Sequence, residues 1–388
     1  MKIAWVTRSF LDYRVPVFRD VDALTGGQMT LSFSGDYVPA PVTAKAVDLL
    51  GDRAFPLSGE TKLGSEDRQH MANKNFSFRW QPGLVKHIRS LNPDVLVCDG
   101  FFKWTLPAVL YRMRYGTPLV IAYERTRHTE RKAQAVRRIY RKGVVRVTDA
   151  MVCSGQLCLD YSVADLGMDA ARVTTGHMTA DTDGLRMAAA AVSDADRAAL
   201  RDRLGLRGVV FLYVGRLLEL KGMREMIAAW RQAGFAPDEA SLLIVGDGPL
   251  RDDLRASTQD MPNVHFTGAI PYDDLAPYYA VADSFVIATL EDNWSLVVPE
   301  AMACGLPVLS SVYNGCWPEM VRPENGWTFT PQAVSEFAGV LRAAQGKGRD
   351  GLAAMGQASR AIVAQYGPDH AARSIVEACD RAIAHRKR

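Results

Sequence analysis

The sequence predicts an α/β protein of two Rossmann-like domains whose parallel sheets face a central cleft. Three observations lead there. Short apolar runs alternate with amphipathic helical stretches along the whole chain, the pattern of βαβ units. The alternation comes in two series, separated by a polar interval. The length, 388 residues, suits two domains that each have a core of their own.

The first series predicts strands at 2–7, 30–33, 95–98, 119–123, 150–154 and 172–175. The second predicts strands at 209–214, 241–245, 264–267, 284–287 and 307–311. Between them, 179–207 is rich in Ala and Asp and has no strand pattern; Ser193 suits the cap of a helix starting at Asp194. The expected organisation is therefore an N-terminal domain at 1–178, a linker at 179–207 and a C-terminal domain at 208–367. A last helix at 368–388 is expected to pack back on the N-terminal domain.

Hydrophobic residues make up 48% of the chain and charged residues 23%, ordinary values for a soluble globular protein. No apolar run approaches the roughly 18 residues of a membrane span. The start, MKIAWVTRSFL, reads as one short strand rather than a signal peptide. Six cysteines, at 98, 153, 158, 304, 316 and 379, form no C-x-x-C pair, so they read as small buried hydrophobes. Scattered unpaired cysteines suit the cytoplasm, or a peripheral place on the inner membrane face. The net charge of +3 is unevenly spread. Residues 1–178 hold 25 Lys+Arg against 17 Asp+Glu, or +8; residues 179–388 hold 21 against 26, or −5. A basic front half suggests an anionic partner.

Open parallel sheets bind ligands beyond the carboxyl ends of their strands, so motifs are sought just after strands. In FLYVGRLLELKG, 211–222, Gly215 and Arg216 follow a strand and Lys221 precedes the next helix. Glycine lets a ligand approach the backbone, and two cations near a helix start favour a diphosphate. The plainer reading is a solvated Arg and Lys. In LLIVGDGPL, Gly246 follows another strand, but Arg251 stands where a dinucleotide fingerprint needs a small residue. Gly268 and Ile270 end the next strand. The stretch LEDNWSLVVPEAMACGLPV, 290–308, supplies a loop with Glu291, Asp292, Asn293, Trp294 and Ser295. A short helix at 298–304 follows, with Pro299 and Glu300 in its first turn. The amides of Ser295, Leu296 and Val297 precede it. A carboxylate accepts from two vicinal hydroxyls, which suits Glu300 on a ribose. A helix-start carboxylate is the plainer alternative for Glu300, and a core aromatic for Trp294.

These motifs, GRLLELKG, VGDGPL, Y-x-x-AD, DNWSLVVPE, EAMACGLPV and PEMV…ENGWTF, together resemble the nucleotide-binding half of glycosyltransferase family 4 over about residues 205–335. These are retaining transferases with the two-lobed GT-B fold. The resemblance implies a nucleoside diphosphate-sugar donor, such as a UDP-sugar or GDP-sugar, and a glycan, lipid-linked or small-molecule hydroxyl acceptor. It implies that Arg216 and Lys221 hold the diphosphate and Glu300 the ribose. Asp292 stands where a family glutamate contacts the transferred sugar, and Glu291 is the neighbouring candidate. Front-face attack would need no separate base, and no metal cofactor is expected. Asp181-Thr182-Asp183 and Asp194-Ala195-Asp196 spell D-x-D, a metal motif of another transferase fold, but they read as caps and turns.

The first half is less marked. The loop after the first strand holds Asp12, Tyr13 and Arg14 where the family often has a Gly pair. Asp99 ends one middle strand and Glu124 another, with His128 four residues on. Tyr13, Arg14, Asp99 and His128 are acceptor-side candidates, and Glu124 or His128 can contact the sugar. The basic run 125–146 reads either as a solvated face or as a docking site for anionic headgroups or a pyrophosphate-linked acceptor. The resulting expectation is a retaining hexosyltransferase of polysaccharide or glycolipid assembly. A nucleotide-sugar 2-epimerase of the same architecture, or a non-catalytic nucleotide-sugar-binding protein, is the alternative. No nucleic-acid partner is expected.

Overall fold

A computed structural model describes residues 1–64 and 77–387. Its contacts divide the chain into two units, Met1–Ala180 with Tyr366–Arg388, and Asp181–Gln365.

Unit 1 runs β1 (Ile3–Val6), α1 (Val15–Leu24), β2 (Met29–Ser34), α2 (Ala40–Leu50), β3 (Ala54–Leu57), β4 (Thr61–Gly64) and β5 (Ser77–Trp80). It continues with α3 (Leu84–Leu91), β6 (Val95–Asp99), α4 (Thr105–Tyr115), β7 (Leu119–Tyr123), α5 (Ala135–Val145), β8 (Ala150–Cys153), α6 (Gln156–Ala164) and β9 (Val173–Thr175). Seven parallel strands form one sheet in the order β3-β2-β1-β6-β7-β8-β9; β4 and β5 pair as a separate hairpin. Side chains alternate across a strand, so β1 feeds two cores. Ile3 and Trp5 join Phe18, Val21 and Phe33 on one face; Ala4 and Val6 join Leu96, Cys98, Ile121 and Met151 on the other.

Unit 2 runs α7 (Asp183–Ala191), α8 (Asp194–Leu204), β10 (Val209–Val214), α9 (Met223–Ala233), β11 (Ala240–Val245), α10 (Arg251–Ser257), β12 (Val264–Gly268) and α11 (Ala276–Val281). It continues with β13 (Ser284–Ile287), α12 (Val297–Ala303), β14 (Val308–Ser311), α13 (Trp317–Met320), β15 (Gly326–Phe329), α14 (Val334–Gln345) and α15 (Gly348–Val363). Its sheet is parallel, in the order β12-β11-β10-β13-β14-β15. Every residue of β10 and β11 is buried, as expected of central strands covered on both faces. The last helix, α16 (Pro368–Lys387), returns to unit 1. Its Ala371, Ile375, Ala378 and Ala382 recur at helical spacing and join the core that holds Phe18 of α1.

Three expectations change. The interval 179–207 is not a linker: α7 and α8 fill most of it and pack on α11 and α12 inside unit 2. Leu185, Ala189 and Leu200 are the buried contacts that hold them there. The strand list lacked β3 and β15, both sheet edges. Pro56 lies within β3, where a proline is tolerated only because the edge needs no donor on that side. It also lacked the hairpin β4–β5. All six cysteines are free; five are buried and Cys304 is half-buried.

Candidate nucleotide-sugar site

In unit 2 the chain moves from β10 to β11 and β12 on one side, then returns to β13 on the other. The strand order therefore reverses between β10 and β13. A crevice opens at the carboxyl ends of such a pair, and ligands of doubly wound sheets bind there. The loop after β10 carries Gly215, Arg216 and Lys221. The loop after β13 carries Glu291 to Ser295 and leads into α12 with Glu300.

The two loops are tied together. Leu220 O accepts from Thr289 Oγ1 at 2.9 Å and from the Leu290 amide at 2.8 Å. Lys221 Nζ donates to Asp292 Oδ2 at 2.5 Å. Gly222 makes this approach possible. Its φ is +65°, and a Cβ there would stand 1.8 Å from Ala288 O. A second close approach joins the turns after β10 and β11: a Cβ on Gly246 would lie 1.8 Å from Gly215 O. The Gly246 amide also donates to Gly268 O at 2.9 Å, which carries the contact to the end of β12. Ile270 is half-buried just beyond.

The guanidinium of Arg216 is exposed and makes no hydrogen bond or ion pair among the described residues. The Arg216 carbonyl, by contrast, is fixed by the Tyr213 hydroxyl at 2.9 Å. The backbone is thus set while the cation stays available to an anion.

Asp292 is differently placed. Its carboxylate accepts from Lys221, from Ser295 Oγ at 2.6 Å and from the Trp294 amide at 3.2 Å. Here it holds Lys221 and shapes its own loop. Ser295 belongs to the same scaffold, because its amide donates to Asn314 Oδ1 at 3.4 Å and its hydroxyl is taken by Asp292. Trp294 is buried, as its plainer reading held. Glu291 and Asn293 are also buried in this loop, and Leu296 and Val297 are half-buried at the start of α12.

Glu300 is buried in the first turn of α12 and accepts from the Tyr279 hydroxyl at 3.1 Å. Burial pushes its carboxyl from 4.5 up to about 7, and the tyrosine hydrogen bond opposes the shift. A half-protonated buried carboxyl is costly unless donors reach it. The vicinal hydroxyls of a ribose are such donors. Tyr279 lies on α11, 21 residues earlier, as the tyrosine of the Y-x-x-AD motif; the sequence does not show that it meets Glu300.

Unit 1 repeats the topology. Its order reverses between β1 and β6, and the loops after these strands bring Arg14 and Asp99 together at 3.1 Å. Arg14 is buried, with Trp5 and Phe18 rings 5.1 and 5.8 Å from its guanidinium carbon. Its other nitrogen donates to His177 Nδ1 at 3.2 Å. His177 Nε2 in turn donates to Tyr123 O at 2.9 Å, so this imidazole is neutral. Burial, aided by the Arg14 charge, holds its pKa down to about 3. Asp99 Oδ2 has no hydrogen-bond partner among the described residues. Tyr13 stands beside this group. Burial lifts its hydroxyl above the usual tyrosine range, Arg14 opposes, and the Glu124 and Asp99 charges add. Three acceptor-side candidates therefore form one cluster, with Glu124 near enough to act on it. His128 is half-buried, and its carbonyl accepts from Arg131 Nη1 at 2.6 Å. Sequence reasoning missed His177. The available signal was its place two residues past β9, where ligand-facing residues are sought.

The basic run 125–146 is not one uniform face. Arg141 is buried against Glu130 at 2.5 Å, Arg125 is 3.8 Å from Glu130, and Arg127 pairs with Asp165 at 2.6 Å. The two D-x-D stretches supply local bonds. Asp181 Oδ1 accepts from the Asp183 amide at 3.4 Å, and the Asp196 amide donates to Ser193 Oγ at 3.1 Å.

Two parallel sheets in one chain, each with its own switch point, are those of the GT-B fold, and comparison agrees. The structure aligns with that of Anabaena HepE in complex with UDP and glucose at a TM-score of 0.71. The alignment has 17% identity and covers 97% of this chain and 98% of that one. Residues 208–344 match the family model described as glycosyl transferases group 1. The chain is 33% identical to sulfoquinovosyl transferase SQD2 of Arabidopsis thaliana over 134 residues, 34% of this chain and 25% of that protein. It is 31% identical to a GDP-mannose-dependent alpha-(1-6)-phosphatidylinositol monomannoside mannosyltransferase of Mycobacterium tuberculosis over 208 residues, 51% of this chain and 53% of the relative. The chain spans between 25% and 63% of the length of the curated relatives it matches. Among the described residues no helix is long and apolar enough to cross a membrane.

Proposed function

We propose that the protein transfers a hexosyl group from a nucleoside diphosphate-sugar to a hydroxyl acceptor in glycolipid or glycoconjugate synthesis, with retention of anomeric configuration. The observation that carries this reading is the loop pair at the β10–β13 switch point, locked by Lys221 and Asp292 and flanked by Glu300. It lies within the segment that matches group 1 glycosyl transferases. The relatives named as mannosyl and sulfoquinovosyl transferases, and the UDP bound to HepE, support a nucleotide-sugar donor.

In this mechanism Glu300 accepts from the ribose hydroxyls. Arg216 swings onto the diphosphate, and Lys221 supplies a second cation from its place on Asp292. As the sugar–phosphate bond breaks, these cations stabilise the negative charge developing on the leaving diphosphate without a metal ion. Asp99, held by Arg14, accepts from an acceptor hydroxyl in unit 1. The leaving phosphate oxygen takes the attacking proton, so retention needs no separate base.

A thermal-shift screen of UDP- and GDP-sugars tests the donor site. A donor present at about 100 times its Kd stabilises the fold by about 2.7 kcal/mol, visible as a raised Tm. The shift is expected to disappear in Arg216→Ala. If no sugar nucleotide shifts the wild type, the donor assignment is wrong. Product anomers by NMR test retention. An epimerised sugar nucleotide formed without any acceptor would mark an epimerase instead.

A further inference from the structure

We propose that the exposed face of α5 docks this chain onto the surface of an anionic phospholipid bilayer. The proposal does not depend on the transferase reading. α5 buries Arg141, Val144 and Val145 and turns its other side outward. On that side Val136 and Ile139 are 66% and 70% exposed, the two highest values for large hydrophobics among the described residues. They stand three residues apart, so they lie on neighbouring turns of one face.

Exposed cations flank this pair. Arg138 and Lys142 lie on the helix, Lys132 precedes it and Arg146 follows it. None of the four makes an ion pair among the described residues. The sequence has no Asp or Glu from Arg131 to Thr148. Several exposed arginines elsewhere in the chain have carboxylate partners. Arg224 has Asp253 at 3.0 Å, Arg251 has Asp247 at 3.1 Å, and Arg231 pairs with Asp260. The charge of Lys132, Arg138, Lys142 and Arg146 is left without an ion-pair partner among the described residues. Arg125, Arg127 and Arg141 of the same basic run already have carboxylates.

A merely solvated face would mix both signs of charge and leave large hydrophobics out. A nucleic acid would take the cations but gain little from Val136 and Ile139. A lipid interface uses both kinds of group: apolar side chains enter the headgroup boundary, and long basic side chains reach the phosphates. Near an anionic leaflet each cation adds roughly fivefold to partitioning. α4 contributes to the same layer of unit 1 and exposes Leu110 and Met113. With 11 residues, α5 is about 16 Å long, so it lies in the interface plane and does not span.

The test is co-sedimentation of the full chain with sucrose-loaded vesicles of phosphatidylcholine, with and without about a third phosphatidylglycerol. Wild type is expected to bind the anionic vesicles at least tenfold more tightly than the neutral ones, and less so as salt rises. Arg138→Gln with Lys142→Gln should weaken that binding about 20-fold or more. Val136→Ser with Ile139→Ser should remove the part that survives high salt. All four positions are exposed, so unchanged circular dichroism and melting should certify each fold. Equal binding to neutral and anionic vesicles overturns the proposal, as does unchanged binding by both variants. Tighter competition by poly(U) than by anionic vesicles overturns it in favour of a nucleic-acid surface.

Discussion

Glu300→Gln should move stability and ligand binding in opposite directions. Glu300 is buried, and its carboxyl titrates near 7 instead of 4.5. Between those values the folded state binds more protons than the unfolded state, so stability falls as pH rises through the window. A shift of about 2.5 units corresponds to about 3 kcal/mol at about 1.36 kcal/mol per unit. The amide of Gln carries no charge and can still accept from Tyr279. Unit 2 of the variant should therefore match wild type near pH 4.5 and exceed it by up to about 3 kcal/mol above pH 8. Nucleotide binding should go the other way. Losing charge-assisted hydrogen bonds of about 1.5–3 kcal/mol weakens UDP or GDP by about ten- to 150-fold. Ribose hydroxyls also favour the ionised form, so wild type should release protons on binding near pH 7. The assays are urea unfolding from pH 4.5 to 8.5 and calorimetric titration in two buffers of different ionisation enthalpy. Tight nucleotide binding by the variant, or no difference in the pH profiles, would refute the assignment of Glu300.

Other outcomes follow from the same geometry. Arg216→Ala should leave urea unfolding within about 0.5 kcal/mol of wild type, since its side chain has no partner among the described residues, yet lower kcat by about 10²–10³. Lys221→Ala should cost both activity and about 1–2 kcal/mol of stability, because Asp292 loses its counter-ion in a mostly buried place; rescue by Lys221→Arg can be read in the same assays. His177 is buried and neutral with its pKa lowered to about 3, so wild-type stability should drop as pH falls below 6.5, where the unfolded imidazole takes up a proton. His177→Gln should flatten that acid limb of the unfolding curve. Gly222→Ala should yield little folded protein, because its Cβ would overlap Ala288 O at a left-handed φ.

The strands that were legible in the sequence are central ones or those followed by clear helices. β1, β6, β7, β8, β10, β11 and β13 are short, mostly apolar runs, because a parallel sheet buried on both faces demands them. The edges β3 and β15 were illegible: Pro56 in one, and Gly326 opening the other, weaken the pattern where half the ladder is absent. The stretch 179–207 misled because its Ala-rich helices bury few large residues. Only their packing on α11 and α12 shows that they belong to unit 2.

For the site, sequence alone determined which residue types stand at which strand ends. Gly215, Arg216, Lys221, Asp292 and Glu300 can be read from strand-then-turn patterns, because the chemistry of a parallel sheet is confined to its carboxyl edge. Tertiary structure decided their partners. It set Lys221 on Asp292, Glu300 on Tyr279, and Arg14 between Asp99 and His177, pairings separated by 71, 21, 85 and 163 residues. It also left Arg216 open among the described residues, and gave Arg125, Arg127 and Arg141 carboxylate partners while Lys132, Arg138, Lys142 and Arg146 make no ion pair among the described residues. Hydrogen bonds and burial depend on distances in space, and a one-dimensional pattern carries no information about contacts between segments so far apart.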